Sequence, residues 1–224
     1  MRTLGLVLAM VVVLAGAVMA ETATYDVYVD WNCISAPLVP LNSDPLDVFT
    51  GINIVNNLSR FDAASQTSIG YDDLDPDAFA GVLLGDGYWL LSDGSYTVSY
   101  DGLADGVPSA GVKTDMWISL PGDQLDGLDN GGWHLIGTPF NTSVPVTVSS
   151  MGDNFKLTDG VQLLSWADAA AAGWCEGSMT GFDAVYQTSF SMGYDLCDSE
   201  EMAPGYGYYF LTFKDNLALI IPGS

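Results

Sequence analysis

The sequence predicts a mainly β protein made of two tandem, related antiparallel β units of small sandwich or barrel type, each with one short helix. Three observations predict this. Short segments rich in Val, Ile, Trp and Tyr alternate with clusters of Gly, Asp and Pro, the punctuation of strands and turns. A set of motifs occurs twice in the same order. Apolar residues make up 49% of the 224 residues and aromatics 12%, enough for a packed core despite the acidity.

The repeat is carried by three blocks. Trp31-Asn32-Cys33-Ile34-Ser35-Ala36-Pro37 matches Trp133-His134-Leu135-Ile136-Gly137-Thr138-Pro139. Phe61-Asp62-Ala63, Gln66-Thr67-Ser68 and Gly70-Tyr71-Asp72 recur as Phe182-Asp183-Ala184, Gln187-Thr188-Ser189 and Gly193-Tyr194-Asp195, with two extra residues in the second copy. Gly85-Asp86-Gly87-Tyr88-Trp89-Leu90-Leu91 then matches Gly205-Tyr206-Gly207-Tyr208-Tyr209-Phe210-Leu211. Expected strands at Tyr25 to Val29 and Asp115 to Ser119 precede the copies, and others near Tyr96 to Tyr100 and Leu217 to Ile221 close them. The stretch from Asp101 to Lys113, made largely of Gly, Asp, Ala and Pro, holds the expected boundary, giving units at residues 21–112 and 113–224.

Two helices are expected. Ser165 is placed as an N-cap, with Asp168 three residues on, an alanine run and Gly173 as the stop. Asp44 precedes Pro45 at a first helical position, with Gly51 after Phe49.

Residues 1–20 read as a secretory signal peptide: Arg2, an apolar run from Leu4, and the small-residue pattern Val18-Met19-Ala20. The expected mature chain is secreted, with no membrane insertion after cleavage. The full chain carries 28 acidic and five basic side chains, a formal charge of −23, and loss of Arg2 makes it more negative still. Nucleic acid is excluded as a partner because no Lys or Arg cluster exists to displace phosphate counterions. Of the acids, 24 are Asp and four Glu, a bias toward turns rather than helices.

The Gly132 to Pro139 block, the Ser165-Trp166-Ala167-Asp168-Ala169 segment with Gly173-Trp174, and Gly205-Tyr206-Gly207-Tyr208-Tyr209 resemble a motif set of secreted and cell-surface proteins of environmental bacteria and archaea. These carry tandem G-W-N-L-I-G-x-P and G-x-G-Y-W type β modules of unknown function. The resemblance implies an extracellular location and a β-rich fold, and it brings no activity or site residue with it. This chain departs from the pattern at Cys33 and Tyr209.

Catalysis is not expected. The only histidine, His134, stands opposite Asn32 in the repeat, so it reads as a polar strand residue, and Ser-His-Asp or Cys-His chemistry lacks its base. No phosphate-binding glycine loop or dinucleotide fingerprint occurs. A carboxylate pair could cleave glycosides, but among 28 acids such a pair carries no signal.

No cofactor is expected, calcium being the one weak candidate ligand. Asp73, Asp75 and Asp77, and Asp123, Asp126 and Asp129, crowd hard oxygens into Gly- or Pro-bearing loops, against the plainer reading of solvated turns. Cys33 aligns with Leu135 and reads as a small core residue, whereas Cys175 and Cys197 are expected to form a disulfide. Tyr88, Trp89, Tyr206, Tyr208 and Tyr209 are candidates for stacking on sugars, although alternate strand residues must face a core. The expected role is a non-catalytic extracellular module of structural or adhesive type, its partner an extracellular protein or glycan or a second copy of itself. The alternatives are a carbohydrate-binding protein using exposed Tyr or Trp, and a carboxylate-dependent glycosidase.

Overall fold

The computed structural model describes residues 20–104, 115–148, 152–193 and 201–223. The apolar stretch up to residue 19, most of the expected unit boundary, and Cys197 lie outside the described residues.

In the first half, strands β1 (Glu21–Val27), β2 (Asp30–Ser35) and β3 (Val39–Pro40) precede helix α1 (Pro45–Val48). Then come β4 (Leu58–Asp62), β5 (Thr67–Gly70), helix α2 (Pro76–Phe79), β6 (Gly87–Ser92) and β7 (Tyr96–Leu103). The second half opens with β8 (Met116–Leu120), β9 (Gly132–Gly137), β10 (Val144–Pro145), β11 (Thr147–Val148), β12 (Gly152–Asp153), β13 (Lys156–Thr158) and β14 (Leu163–Ser165). Helix α3 (Trp166–Ala171) leads to β15 (Cys175–Asp183), β16 (Thr188–Gly193), β17 (Glu201–Met202), β18 (Gly207–Thr212) and β19 (Leu217–Ile221).

Four small antiparallel sheets dominate. Their strand orders are β1-β7-β3, β2-β6-β4-β5, β8-β19-β13-β14 and β9-β18-β15-β16. They are arranged as a four-bladed, propeller-like ring, which corrects the expectation of two tandem units. The reason is physical: each half builds two sheets around its own apolar cluster, and one sheet of each half also faces the other half. The first cluster draws on Tyr25, Val27, Ile34, Leu58, Tyr88, Leu90 and Val98, and the second on Leu120, Ile136, Phe155, Trp166, Tyr208, Phe210 and Leu219. Each such side chain, fully buried, contributes about 1.5–3 kcal/mol.

The sheets β2-β6-β4-β5 and β9-β18-β15-β16 have matching registers. Trp31 stands opposite Leu91 and Cys33 opposite Trp89, as Trp133 stands opposite Leu211 and Leu135 opposite Tyr209. These two sheets pack on each other through β2, β6 and β4 on one side and β9, β15 and β18 on the other.

Backbone bonds cross between the halves in reciprocal pairs. Ser35 N–H donates to the Gly205 carbonyl at 3.0 Å, and Gly137 N–H donates to the Gly85 carbonyl at 2.9 Å. The approach is close enough to require glycine. A Cβ on Gly137 would lie 2.0 Å from Ser35 Cβ, one on Gly87 2.6 Å from Leu135 Cγ, and one on Gly207 2.8 Å from Cys33 Sγ.

Helices α1 and α3 begin where the sequence predicts. Ser165 Oγ accepts from Asp168 N–H at 3.1 Å, and the Asp44 carboxylate accepts from Leu46 N–H at 2.9 Å. Helix α2 is a departure, because Asp75-Pro76-Asp77 reads as an acidic loop whereas Pro76 starts a helical turn there. The first half therefore has two short helices rather than one.

The excess of Asp over Glu also has a structural cause. Asp44, Asp72, Asp123, Asp126, Asp159 and Asp183 each accept a bond from the backbone N–H two residues on. Glu is one methylene too long for this turn.

Candidate binding site

The faces that the two central sheets turn toward each other follow from strand alternation. Tyr88 and Tyr208 point into the two cores, buried, each hydroxyl accepting a backbone N–H, from Leu83 and Ala203 respectively. Their neighbours Trp89 and Tyr209 point the other way and meet between the sheets. Trp89 Nε1–H donates to the Tyr209 hydroxyl at 2.9 Å, with ring centroids 6.3 Å apart.

Four more aromatics surround this pair. Trp31 packs edge-on to Trp89 with centroids 6.0 Å apart, and Phe182 of the other half packs edge-on at 5.1 Å. Around Tyr209, Trp133 and Phe61 take the corresponding places, both at 6.0 Å. Trp31 is 47% exposed and Trp133 44%, far more than a core tryptophan.

Two clefts open beside the central pair. The first, about 450 Å³, is lined by Trp31, Trp89, Phe182 and Tyr209 together with Ser59 and Ser68. The second, about 380 Å³, is lined by Trp133, Phe61, Tyr209 and Thr180. Both volumes suit a small ligand or one or two sugar residues. Neither lining contains a carboxylate, amine, guanidinium, imidazole or thiol. Burial raises the Tyr209 phenol above its ordinary pKa, with the Trp89 bond working against it. The hydroxyl thus stays protonated and, accepting from Trp89, keeps its own proton to donate. The clefts offer apolar ring faces and neutral hydroxyls.

The tryptophans are held crosswise by the repeated glutamines. Trp31 and Trp133 lie on β2 and β9, the outer strands of their sheets, where backbone groups lack a neighbouring strand. Gln187 supplies the partner for Trp31: its Oε1 accepts from the Trp31 N–H at 3.2 Å and its Nε2 donates to the Trp31 carbonyl at 2.9 Å. Gln66 does the same for Trp133, at 2.8 and 3.1 Å. Each glutamine sits in a hairpin turn at positive φ, 52° for Gln66 and 51° for Gln187. Each is further fixed by donating to the carbonyl three residues back, on Ala63 or Ala184.

The other predicted residues fall elsewhere. Tyr206, partly buried, bridges to Ile34 across the halves and lines neither cleft. Asp73, Asp75 and Asp77 are exposed around the start of α2. Asp123 and Asp129 line a polar cavity of about 430 Å³ with Asp159, Lys214 and Asp215, whereas Asp126 does not. Their oxygens serve the fold there: Asp123 and Asp126 bond their own loops, and Asp129 accepts from Asp215 N–H. Lys214 pairs with Asp159 at 2.7 Å and lies over the Trp174 ring, holding the Asp159 carboxyl well below the usual range together with the Gln162 and Val161 N–H groups. Among the described residues, no three His, Cys, Asp or Glu side chains are grouped to hold a metal ion.

No disulfide is present among the described residues, and Cys197, the expected partner of Cys175, lies outside them. Cys175 itself is a free, buried thiol packed in the second core, and burial pushes its pKa up to about 12. Cys33 is likewise free and buried. His134 is buried, bonded through Nε2 to Thr212 Oγ1 at 3.1 Å, and burial lowers its pKa to about 4, so it is neutral near pH 7.

Trp31, Trp133, Phe61 and Phe182 were not singled out from the sequence as binding residues, although each heads a repeated block. For the two tryptophans the available signal was their place in the alternation, two residues from Cys33 or Leu135, which contact the opposite half. No family model matches this chain. Comparison with curated proteins and with solved structures returns no match either.

Proposed function

We propose that this chain is a secreted, non-catalytic extracellular module that adheres to neutral carbohydrate through the aromatic clefts between its two central sheets. The observation that carries the reading is the composition of those clefts. Indole, phenol and phenyl rings with Ser and Thr hydroxyls match the apolar C–H faces and the hydroxyls of a pyranose, and the carboxylate pair of a glycosidase lines neither cleft. Charge points the same way: a chain of −23 repels acidic polysaccharides, and no basic side chain lines either cleft to reverse that. Export is supported by the leader sequence, and mass spectrometry of the secreted protein should find Glu21 at the N-terminus.

The two halves further support descent from one doubled unit, since their central sheets share strand order, register and reciprocal bonds. On this reading the repeated motifs chiefly build the contact between halves, and the clefts are a by-product of that contact put to use.

Affinity electrophoresis through gels containing neutral polysaccharides, such as β-glucan, xylan, mannan and starch, tests the function. At least one gel should retard the parent chain and leave the Trp31→Ala/Trp133→Ala variant unretarded. Equal migration of parent and variant in every gel would overturn the proposal.

A further inference from the structure

We infer that one chain carries two separate carbohydrate sites and therefore cross-links two glycan segments. This rests on the reading of the clefts as sugar sites and extends it. The two clefts are built alike: an exposed tryptophan at the mouth, a central aromatic as floor, and a phenylalanine from the opposite half as wall. In the first these are Trp31, Trp89 and Phe182; in the second, Trp133, Tyr209 and Phe61. The Trp89–Tyr209 pair stands between them, bonded at 2.9 Å. The clefts are separate cavities whose linings have only Tyr209 in common.

Neither cleft belongs to one half. The first takes Trp31 and Trp89 from the first half and Phe182 and Tyr209 from the second, and the second cleft combines Phe61 with Trp133 and Tyr209. The clamps cross in the same way, with Gln187 of the second half holding Trp31 and Gln66 of the first holding Trp133. Gln66 and Gln187 are thus positioning residues, each serving the tryptophan of one cleft. The pairing of halves supplies both sites at once, which gives a doubled chain a property that a single half lacks. The sites are not identical. The first has an indole floor and two serines, the second a phenol floor and Thr180.

Isothermal titration with whichever neutral hexasaccharide of a cello-, xylo-, manno- and malto-series binds the parent chain tests this. The parent should bind two molecules per chain. Trp31→Ala and Trp133→Ala should each bind one, with the remaining site within about threefold of its parent affinity, and the double variant none. Gln187→Asn should weaken only the Trp31 site and Gln66→Asn only the Trp133 site, which guards against a tryptophan variant that fails to fold. The matching polysaccharide should gain viscosity with the parent chain and not with either single tryptophan variant. A parent stoichiometry of one, or loss of both sites in either single variant, would overturn the two-site inference while leaving carbohydrate binding intact. Absence of binding to the whole series, with no retardation in the polysaccharide gels, would instead remove the carbohydrate reading itself.

Discussion

Shortening Gln66 by one methylene, as Gln66→Asn, tests whether the crosswise clamps hold the halves together. Asparagine keeps the amide and tolerates the left-handed backbone at φ 52°, so local strain is not introduced. What changes is reach: the bonds to the Trp133 N–H and carbonyl, at 2.8 and 3.1 Å, are lost. Both groups lie on an exposed strand edge where water can replace the amide, so each bond is worth about 0.5–1.5 kcal/mol net. The expected loss is about 1–3 kcal/mol for Gln66→Asn, and the same for Gln187→Asn by the matching geometry. Urea unfolding followed by tryptophan fluorescence reads this loss directly. The exposed Gln162→Asn serves as the control, expected within about 0.5 kcal/mol of the parent. If both clamp variants also stay within that margin, the glutamines are incidental surface contacts and the account of how the halves join is wrong.

Packing and titration supply the other predictions. Gly137→Ala drives a Cβ to 2.0 Å from Ser35 Cβ and should lower stability by about 1–3 kcal/mol, whereas Gly70→Ala, with open space around it, should be close to neutral in thermal unfolding. Burial raises Asp86 to about 6, with Arg60 opposing, above an unfolded value of about 3.9. Its folded-state penalty is therefore present above pH 6 and relieved as pH falls toward 4. Asp86→Asn should stabilise the chain by roughly 2–3 kcal/mol at pH 8 relative to the parent and by little at pH 4. His134 has the opposite sign: its folded pKa of about 4 lies below an unfolded value of about 6.5, so its neutral form supports the fold above pH 6.5 and that support fades as pH drops toward 4. His134→Asn, the residue found at the matching position 32, should flatten the acid limb of the stability curve. Neither Cys33 nor Cys175 should react with iodoacetamide at pH 8 in the folded chain, since burial holds both thiols near pKa 12.

Much of the local structure is legible in the sequence because its causes are local. Ser165 and Asp44 announce their helices through cap chemistry that acts within three residues. The alternation in Gly-Tyr-Trp-Leu and Gly-Tyr-Tyr-Phe already requires Tyr88 and Trp89, or Tyr208 and Tyr209, to part to opposite faces. The placement of the sheets is not legible in this way. Gln66 bonds a residue 67 positions away and Gln187 one 156 positions away, so their recurrence signals a shared role without naming its partner. Gly87, Gly137 and Gly207 read as turn residues, yet they are needed where one half's backbone meets side chains of the other. Asp75 and Asp77 mislead for a different reason. An Asp-Pro-Asp string serves a calcium loop and a helix start equally well, and only the burial of Phe79 against Tyr71 and Tyr88 selects the helix.

The surface between the central sheets as the place of ligand contact is tested most directly by the indole N–H signals in a ¹H–¹⁵N correlation spectrum during titration with a neutral hexasaccharide. Trp31, Trp89 and Trp133 should shift with added sugar. Trp166, whose Nε1–H is bound to the Glu176 carbonyl in the core, should stay in place, as should Trp117 and Trp174, which line neither cleft. Shifts confined to Trp117 or Trp174, with the three cleft indoles unmoved, would contradict the account.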